Sequence, residues 1–180
     1  MALTATIYNF DITLSDMDRG VYEQLSLRVA QHPAESPEYL LTRVLAYCLE
    51  YTEGIAFSKG ISEGDDPALF VRDLTGRTLA WIEVGWPDAD RLHRGSKSAE
   101  RVAVYTHRNP ATLLAQLAGK RIHRAAEIPI YALDRAFVDA VLAQLDRRAA
   151  FELSVTERHL YLTINGQTIE GDIGEHRLEG

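Results

Sequence analysis

Apolar and polar positions alternate at both ends of the chain and follow helical spacing between them. Ile7, Phe10, Ile12 and Leu14 mark a run from Ala5 to Leu14, and Leu25, Leu27 and Val29 resume the alternation after the turn Asp16-Met17-Asp18-Arg19-Gly20. A period of two belongs to a strand with one buried face, so two long paired strands are predicted. Ser36-Pro37-Glu38 then supplies an N-cap, a first-turn proline and an acid, with Leu41, Val44, Leu45 and Cys48 on one face beyond it. That pattern predicts a helix over about 37–53.

Behind a polar turn containing Asp65-Asp66-Pro67, Ala68 to Arg72 reads as a strand, Leu74 to Gly76 as a turn and Thr78 to Gly85 as a strongly apolar strand, together a hairpin. Pro87-Asp88 opens a short helix to about Glu100. Val102 to Tyr105 follows as a strand, Ala111 to Leu117 as a helix, Ile128 to Leu133 as a strand and Ala136 to Leu145 as a helix. Phe151 to Thr156, His159 to Ile164 and Gln167 to Ile173 are strands, the last two joined by an Asn165-Gly166 hairpin turn. The class is α/β (α+β): a central mixed β-sheet flanked by helices, with additional β-strands at the N- and C-terminal ends. No internal repeat or low-complexity linker interrupts it, which predicts a single domain over 1–180.

Composition narrows the function classes. With 46% apolar and 25% charged residues in 180, the chain has the make-up of one globular domain. No stretch approaches the roughly 20 apolar residues needed to cross a bilayer. Met1 to Phe10 also lacks a basic flank leading into an apolar run. A cytoplasmic protein without a membrane partner is the expectation, and the lone Cys48 agrees with it. A net charge of −7 argues against coating nucleic acid through overall charge. A local groove stays open to it, because residues 91–108 carry Arg91, Arg94, Lys97, Arg101 and Arg108 against the single acid Glu100, and Lys120, Arg121 and Arg124 follow.

The chemistry concentrates on the hairpin. Alternation puts Leu79, Trp81, Glu83 and Gly85 on one face of their strand, leaving the Glu83 carboxylate inside an apolar strand. Such a group needs a hydrogen-bonding neighbour, a cation or a metal ion. Asp65 and Asp66 lie at the mouth of the preceding strand, where a folded hairpin brings them toward Glu83. Two or three convergent carboxylates suit Mg²⁺ or Mn²⁺.

The run Leu79-Ala80-Trp81-Ile82-Glu83-Val84-Gly85-Trp86-Pro87-Asp88-Ala89-Asp90-Arg91-Leu92, the Asp65-Asp66-Pro67 turn and His32-Pro33-Ala34-Glu35 resemble the YaeQ family of small bacterial proteins. The resemblance implies a variant of the PD-(D/E)XK nuclease-like fold, with Asp66 as the first acid and Glu83 as the second. In the nuclease pattern a lysine stands two positions after the second acid, orienting the attacking water and stabilising charge on the phosphate. Gly85 occupies that position here. Arg91, Arg94 and Lys97 share one side of the following helix, and Lys97 is the preferred substitute, with Arg91 and Arg94 as substrate contacts. Glu38 offers a further acid to the cleft, and Asp65 an alternative metal ligand. The implied activity is divalent-metal-assisted hydrolysis of a phosphodiester in nucleic acid; the alternative is a non-catalytic nucleic-acid-binding or protein-interaction module on a degenerate scaffold.

Each assignment has a structural rival. Asp65-Asp66-Pro67 is also an ordinary turn. Glu83 can be held by an arginine such as Arg43 in an ion pair. Glu38 sits where a carboxylate stabilises a helix dipole, and the basic run on helix 88–100 can be a solvated face. The six histidines make no metal-ligand spacing, Ser96 and Ser98 lack an adjacent base, and Trp81 and Trp86 suit packing better than base stacking. There is no P-loop and no GxGxxG.

Overall fold

The computed structural model describes residues 4–58 and 66–178. Asp65, one of the three acids of the hairpin reading, lies outside them. Strands β1 (Thr6–Asp16) and β2 (Val21–Gln31) form the expected long antiparallel pair, followed by α1 (Pro37–Leu49), β3 (Ile55–Phe57), β4 (Leu69–Arg72) and β5 (Thr78–Val84). Next come α2 (Ala89–Ser98), β6 (Arg101–Thr106), α3 (Pro110–Leu117), a 3₁₀ turn (Ala125–Glu127), β7 (Pro129–Leu133) and α4 (Arg135–Leu142). β8 (Arg148–Thr156), β9 (His159–Ile164) and β10 (Gln167–Arg177) close the described chain. All ten strands join one sheet in the order β2-β1-β8-β9-β10-β7-β6-β5-β4-β3. It is mixed: β1 runs parallel to β8, and β5, β6 and β7 are parallel neighbours, while the remaining pairs are antiparallel. No helix among the described residues is long and apolar enough to cross a membrane.

Alternation along the strands divides the apolar residues between two cores. Ala80, Ile82 and Val84 of β5 and Ala103 and Tyr105 of β6 join the larger core on the first face, with Leu41, Val44, Leu45 and Cys48 of α1 and Phe137, Val138 and Val141 of α4. Trp81, Val102, Val104 and Ile130 point the other way, into a smaller core with Leu92 of α2 and Leu113 and Leu117 of α3. β10 bridges the two halves of the sheet, pairing through Gln167–Asp172 with β9 and through Ile173–Arg177 with β7.

Several boundaries differ from the expectations for physical reasons. α1 ends at Leu49 because the Glu50 amide caps back to Ala46 and Cys48 carbonyls and Gly54 takes a positive φ, so the sequence-predicted last turn is absent. β3 is only three residues long, too short to show a period, and the expectations contain no strand there. α4 stops at Leu142, short of Leu145. β1, β8 and β10 run longer than predicted because polar residues also pair in their ladders.

Candidate functional site

The hairpin β4–β5 sets the geometry of the acidic site. Antiparallel register places Leu69 opposite Ile82, so Asp66, three positions before Leu69, lies beside the C-terminal end of β5 near Glu83 and Gly85. Glu83 is 3% exposed and faces the smaller core beside Trp81, as the alternation requires. Pro87 is buried where the chain leaves β5, and Asp88 N-caps α2 by accepting the Arg91 amide at 2.8 Å. This cap fixes the first turn of α2 and aims Arg91 back at the strand.

Glu83 is held by three donors. Arg91 Nε donates to Glu83 Oε2 at 2.9 Å and Arg91 Nη2 to Oε1 at 3.0 Å, a bidentate fork, while the Trp81 indole N–H donates to Oε1 at 3.0 Å. Arg91 Nη2 also donates to the Asp66 carbonyl at 2.5 Å, so the guanidinium ties the turn before β4 to the C-terminal end of β5. The arginine rival for Glu83 is therefore the arrangement present, with a different partner: Arg43 is taken by Glu35 at 2.6 Å and by the Ala30 carbonyl. Burial raises the Glu83 carboxyl above its usual range, and the hydrogen bonds and charge of Arg91, then the Trp81 bond, offset part of that rise.

The Gly85 position does more than lack a lysine. Its φ is +87°, and a Cβ there would meet the Tyr39 ring carbons at 3.4 Å. Burial, followed by the negative charge of Glu83, pushes the Tyr39 phenol up to about 12. Tyr39 of α1 thus packs against the end of β5 at Gly85. Gly95 of α2 plays the matching part under Trp81: a Cβ there would lie 2.8 Å from three indole ring atoms. The close approach of α2 to the strand is what brings Arg91 within reach of Glu83.

The other site residues fall at different distances from this pair. The Asp66 side chain is exposed. Arg94 and Lys97 are exposed on α2, Lys97 in its last turn, two turns beyond Arg91. Glu38 faces Arg135 of α4 at 3.9 Å and lies close enough to His107 to act on its charge. Among the described residues, no three carboxylate, histidine or cysteine groups converge to hold a metal ion. A carboxylate has about four lone-pair sites on its two oxygens, and three of those on Glu83 already accept hydrogen bonds. Among the described residues, the Glu83 carboxylate as arranged does not fit Mg²⁺ or Mn²⁺.

Two contributions escaped the sequence reading although their signals were present. Trp81 and Glu83 are two apart on one strand face, which already puts the indole donor beside the carboxylate. Arg91 is the third helical residue after the Asp88 cap, so its side chain starts from the turn nearest the strand. The basic segment is also partly spent: Arg101 pairs with Glu50, Arg124 donates to the Ser96, Ala99 and Glu100 carbonyls at the end of α2, and Arg108 lies 3.7 Å over the Trp86 ring.

Comparison with known proteins places this arrangement in a family. The family model for YaeQ protein matches residues 1–173. The Escherichia coli (strain K12) protein described as "Uncharacterized protein YaeQ" is 30% identical over 172 residues, covering 94% of each chain, and its Salmonella typhi counterpart is 31% identical over 169 residues, covering 91% of each. Among solved structures, the YaeQ protein from Pseudomonas syringae superposes with a TM-score of 0.87 at 32% identity, over 98% of this chain and 97% of that one. The YaeQ protein from Xanthomonas axonopodis pv. citri gives 0.88 at 28% identity, over 98% and 100%. With the family model spanning nearly the whole sequence and two solved relatives sharing its fold end to end, the chain belongs to the YaeQ family.

Proposed function

We propose that this chain is a non-hydrolytic nucleic-acid-binding module built on a nuclease-like scaffold, in which the acidic strand has become a structural ion pair. The observation that carries the reading is the Glu83 carboxylate clamped by the Arg91 fork and the Trp81 indole, with Gly85 and the Tyr39 ring where the nuclease lysine would stand. A carboxylate so engaged stabilises the join between β5 and α2 instead of binding a cation. Binding falls to the basic side formed by α2 and the segment after α3. Arg94, Lys97, Lys120 and Arg121 are exposed there, and the His123 amide donates to His93 Nδ1 at 3.0 Å, which fastens that segment to α2. Cations on a surface of an otherwise acidic protein give phosphate-backbone contacts and set orientation more than sequence choice. A cytoplasmic setting goes with this reading.

The second reading keeps the scaffold active: Asp66, Glu83 and Asp65 hold Mg²⁺ or Mn²⁺, Lys97 replaces the missing lysine, and Glu38, Arg91 and Arg94 contact substrate. In its favour is the meeting of the Asp66 main chain and Glu83 at a single guanidinium. It requires Arg91 to leave the carboxylate.

The test is fluorescence anisotropy with labelled single- and double-stranded DNA and RNA at low salt, in EDTA and in Mg²⁺, with gels run on the same samples. The expected result is binding in EDTA, no cleavage products in Mg²⁺, and weaker binding with a shallower salt slope for Lys97→Gln/Lys120→Gln, each lost phosphate contact lowering the slope by about 0.9 on a duplex. Products that need Mg²⁺ and vanish in Glu83→Gln would establish the second reading. Absence of binding at low salt would reject the module.

A further inference from the structure

The first face of the sheet carries another polar cluster, on the opposite side of the sheet from the Glu83 carboxylate. Glu50, at the C-terminal end of α1, is buried, and the Tyr105 hydroxyl donates to its Oε2 at 2.5 Å while Arg101 pairs with Oε1. Arg19, in the turn between β1 and β2, donates to the Tyr51 and Cys48 carbonyls at 2.8 and 3.1 Å and pairs with Asp16 at 2.8 Å. A cation at that position complements the negative end of α1. Arg158 enters from the β8–β9 turn, with φ of 60° and its amide donating to Asp18 Oδ2 at 3.0 Å. With Thr52 and Tyr131, these three arginines line a cavity of about 380 Å³.

Arg158 is the unexplained member. Its Nε and Nη2 are buried, and among the described residues neither has a hydrogen-bond partner. The Tyr131 ring, 4.6 Å from the guanidinium carbon, attracts the face of the cation but accepts nothing from its N–H edge. Buried guanidinium N–H groups without acceptors are costly, and a native fold keeps them only where a water, ion or ligand completes them. Salt bridges point the same way: Arg19 pairs with Asp16 and Arg101 with Glu50, Glu175 is engaged with Arg177 at 3.6 Å, and Asp18 meets Arg158 through its main-chain amide. Of the three lining arginines, Arg158 alone has no carboxylate on its guanidinium among the described residues.

We infer that this cavity binds the terminal phosphate of a small phosphomonoester, held by the Nε–Nη2 edge of Arg158 with Arg101, Thr52 and Tyr131 around it. The donors come from four elements of the fold, an arrangement that suits the several oxygens of a tetrahedral oxyanion better than one planar carboxylate. Tyr105, a fully buried member of the lining, suits a terminal phosphate esterified on one oxygen better than a diester with chain on both sides. The volume lies within the roughly 300–1,000 Å³ of small-molecule sites.

Inorganic phosphate is the minimal probe. Calorimetric titration at fixed ionic strength should show saturable binding to the native protein, weakened about tenfold or more in Arg158→Gln, as expected when a charge-assisted pair is lost. Arg158→Lys, which keeps the charge and loses the fork, should fall between. Lys97→Gln/Lys120→Gln, on the other face, should bind phosphate as the native protein does, which separates this site from the proposed nucleic-acid surface. No binding by the native protein overturns the inference, and so does equal affinity in Arg158→Gln. If that variant does not fold, unchanged affinity in both Arg158→Lys and Tyr131→Phe overturns it equally.

Discussion

Replacing Arg91 with methionine isolates what its fork does for Glu83. Methionine keeps much of the aliphatic stem and removes the cation, leaving a carboxylate whose side chain is 4% exposed with the Trp81 indole as its remaining donor. Removing one partner of a buried pair costs about 3–5 kcal/mol, and because the Arg91 side chain is itself 24% exposed, the low end, about 3 kcal/mol, is expected. That is a large share of the roughly 5–15 kcal/mol that holds a domain folded. Glu83→Gln should cost less, about 1–2 kcal/mol, because Arg91 reaches solvent and keeps the Asp66 carbonyl. The double variant should therefore be more stable than Arg91→Met alone. The pH dependence has a definite sign. Burial already raises the Glu83 carboxyl, and loss of Arg91 raises it further, so the folded variant holds a proton that the unfolded chain releases. Its penalty should be small below the ordinary carboxyl range and grow as pH rises through the raised value. Urea unfolding followed by tryptophan fluorescence from pH 4 to 8 measures both, pH being set by about the carboxyl range and neutrality. A loss under about 1 kcal/mol at neutral pH, a penalty flat with pH, or a double variant worse than Arg91→Met would each refute the ion-pair argument.

Three further outcomes follow from the same geometry. Gly85→Lys, which puts a lysine two positions after Glu83, should lower stability by about 1–3 kcal/mol in urea unfolding and gain no Mg²⁺-dependent cleavage, because the left-handed backbone strains any L side chain there and the Tyr39 ring bounds the space beyond its Cβ. Gly95→Ala should lower the Tm and shift Trp81 emission, since overpacking against the indole at about 1–3 kcal/mol exceeds the helix-propensity gain of at most about 1 kcal/mol. His159 is bonded to Asp172 at 2.5 Å and Glu170 at 3.0 Å, and these acids, Asp172 first, hold its imidazole above the usual range. NMR titration should find its midpoint raised in the native protein and lowered in Asp172→Asn; the stability difference between the two should be full below the ordinary histidine range and vanish as pH rises through the raised midpoint.

Much of this framework is written in local sequence. The β1–β2 pair, the β4–β5 hairpin and the Asp88-capped start of α2 follow from alternation, turn residues and a cap, each a short-range signal. The face of Glu83 was legible for the same reason. Its partner was not: Arg43 and Arg91 are equally charged on paper, and only the packing of α2 over Gly95 and of α1 beside Glu35 assigns each arginine its acid. Arg101 counts as a free cation in a basic run until β6 and the end of α1 bring Glu50 to it. Arg158 reads as an ordinary turn residue between two strands, and nothing local shows its guanidinium folding over Tyr131 from the neighbouring part of the sheet. Pairings made across the sheet depend on long-range register, which residue periodicity does not encode.

Arg91 occupies the Glu83 carboxylate and leaves it no room for a metal ion. Calorimetric titration of the chelator-treated protein with Mn²⁺, for the native chain and for Asp66→Asn and Glu83→Gln, tests this most directly. No saturable Mn²⁺ binding that depends on either acid is expected. One equivalent of Mn²⁺ bound by the native protein and lost in both variants would contradict it and restore the hydrolytic reading.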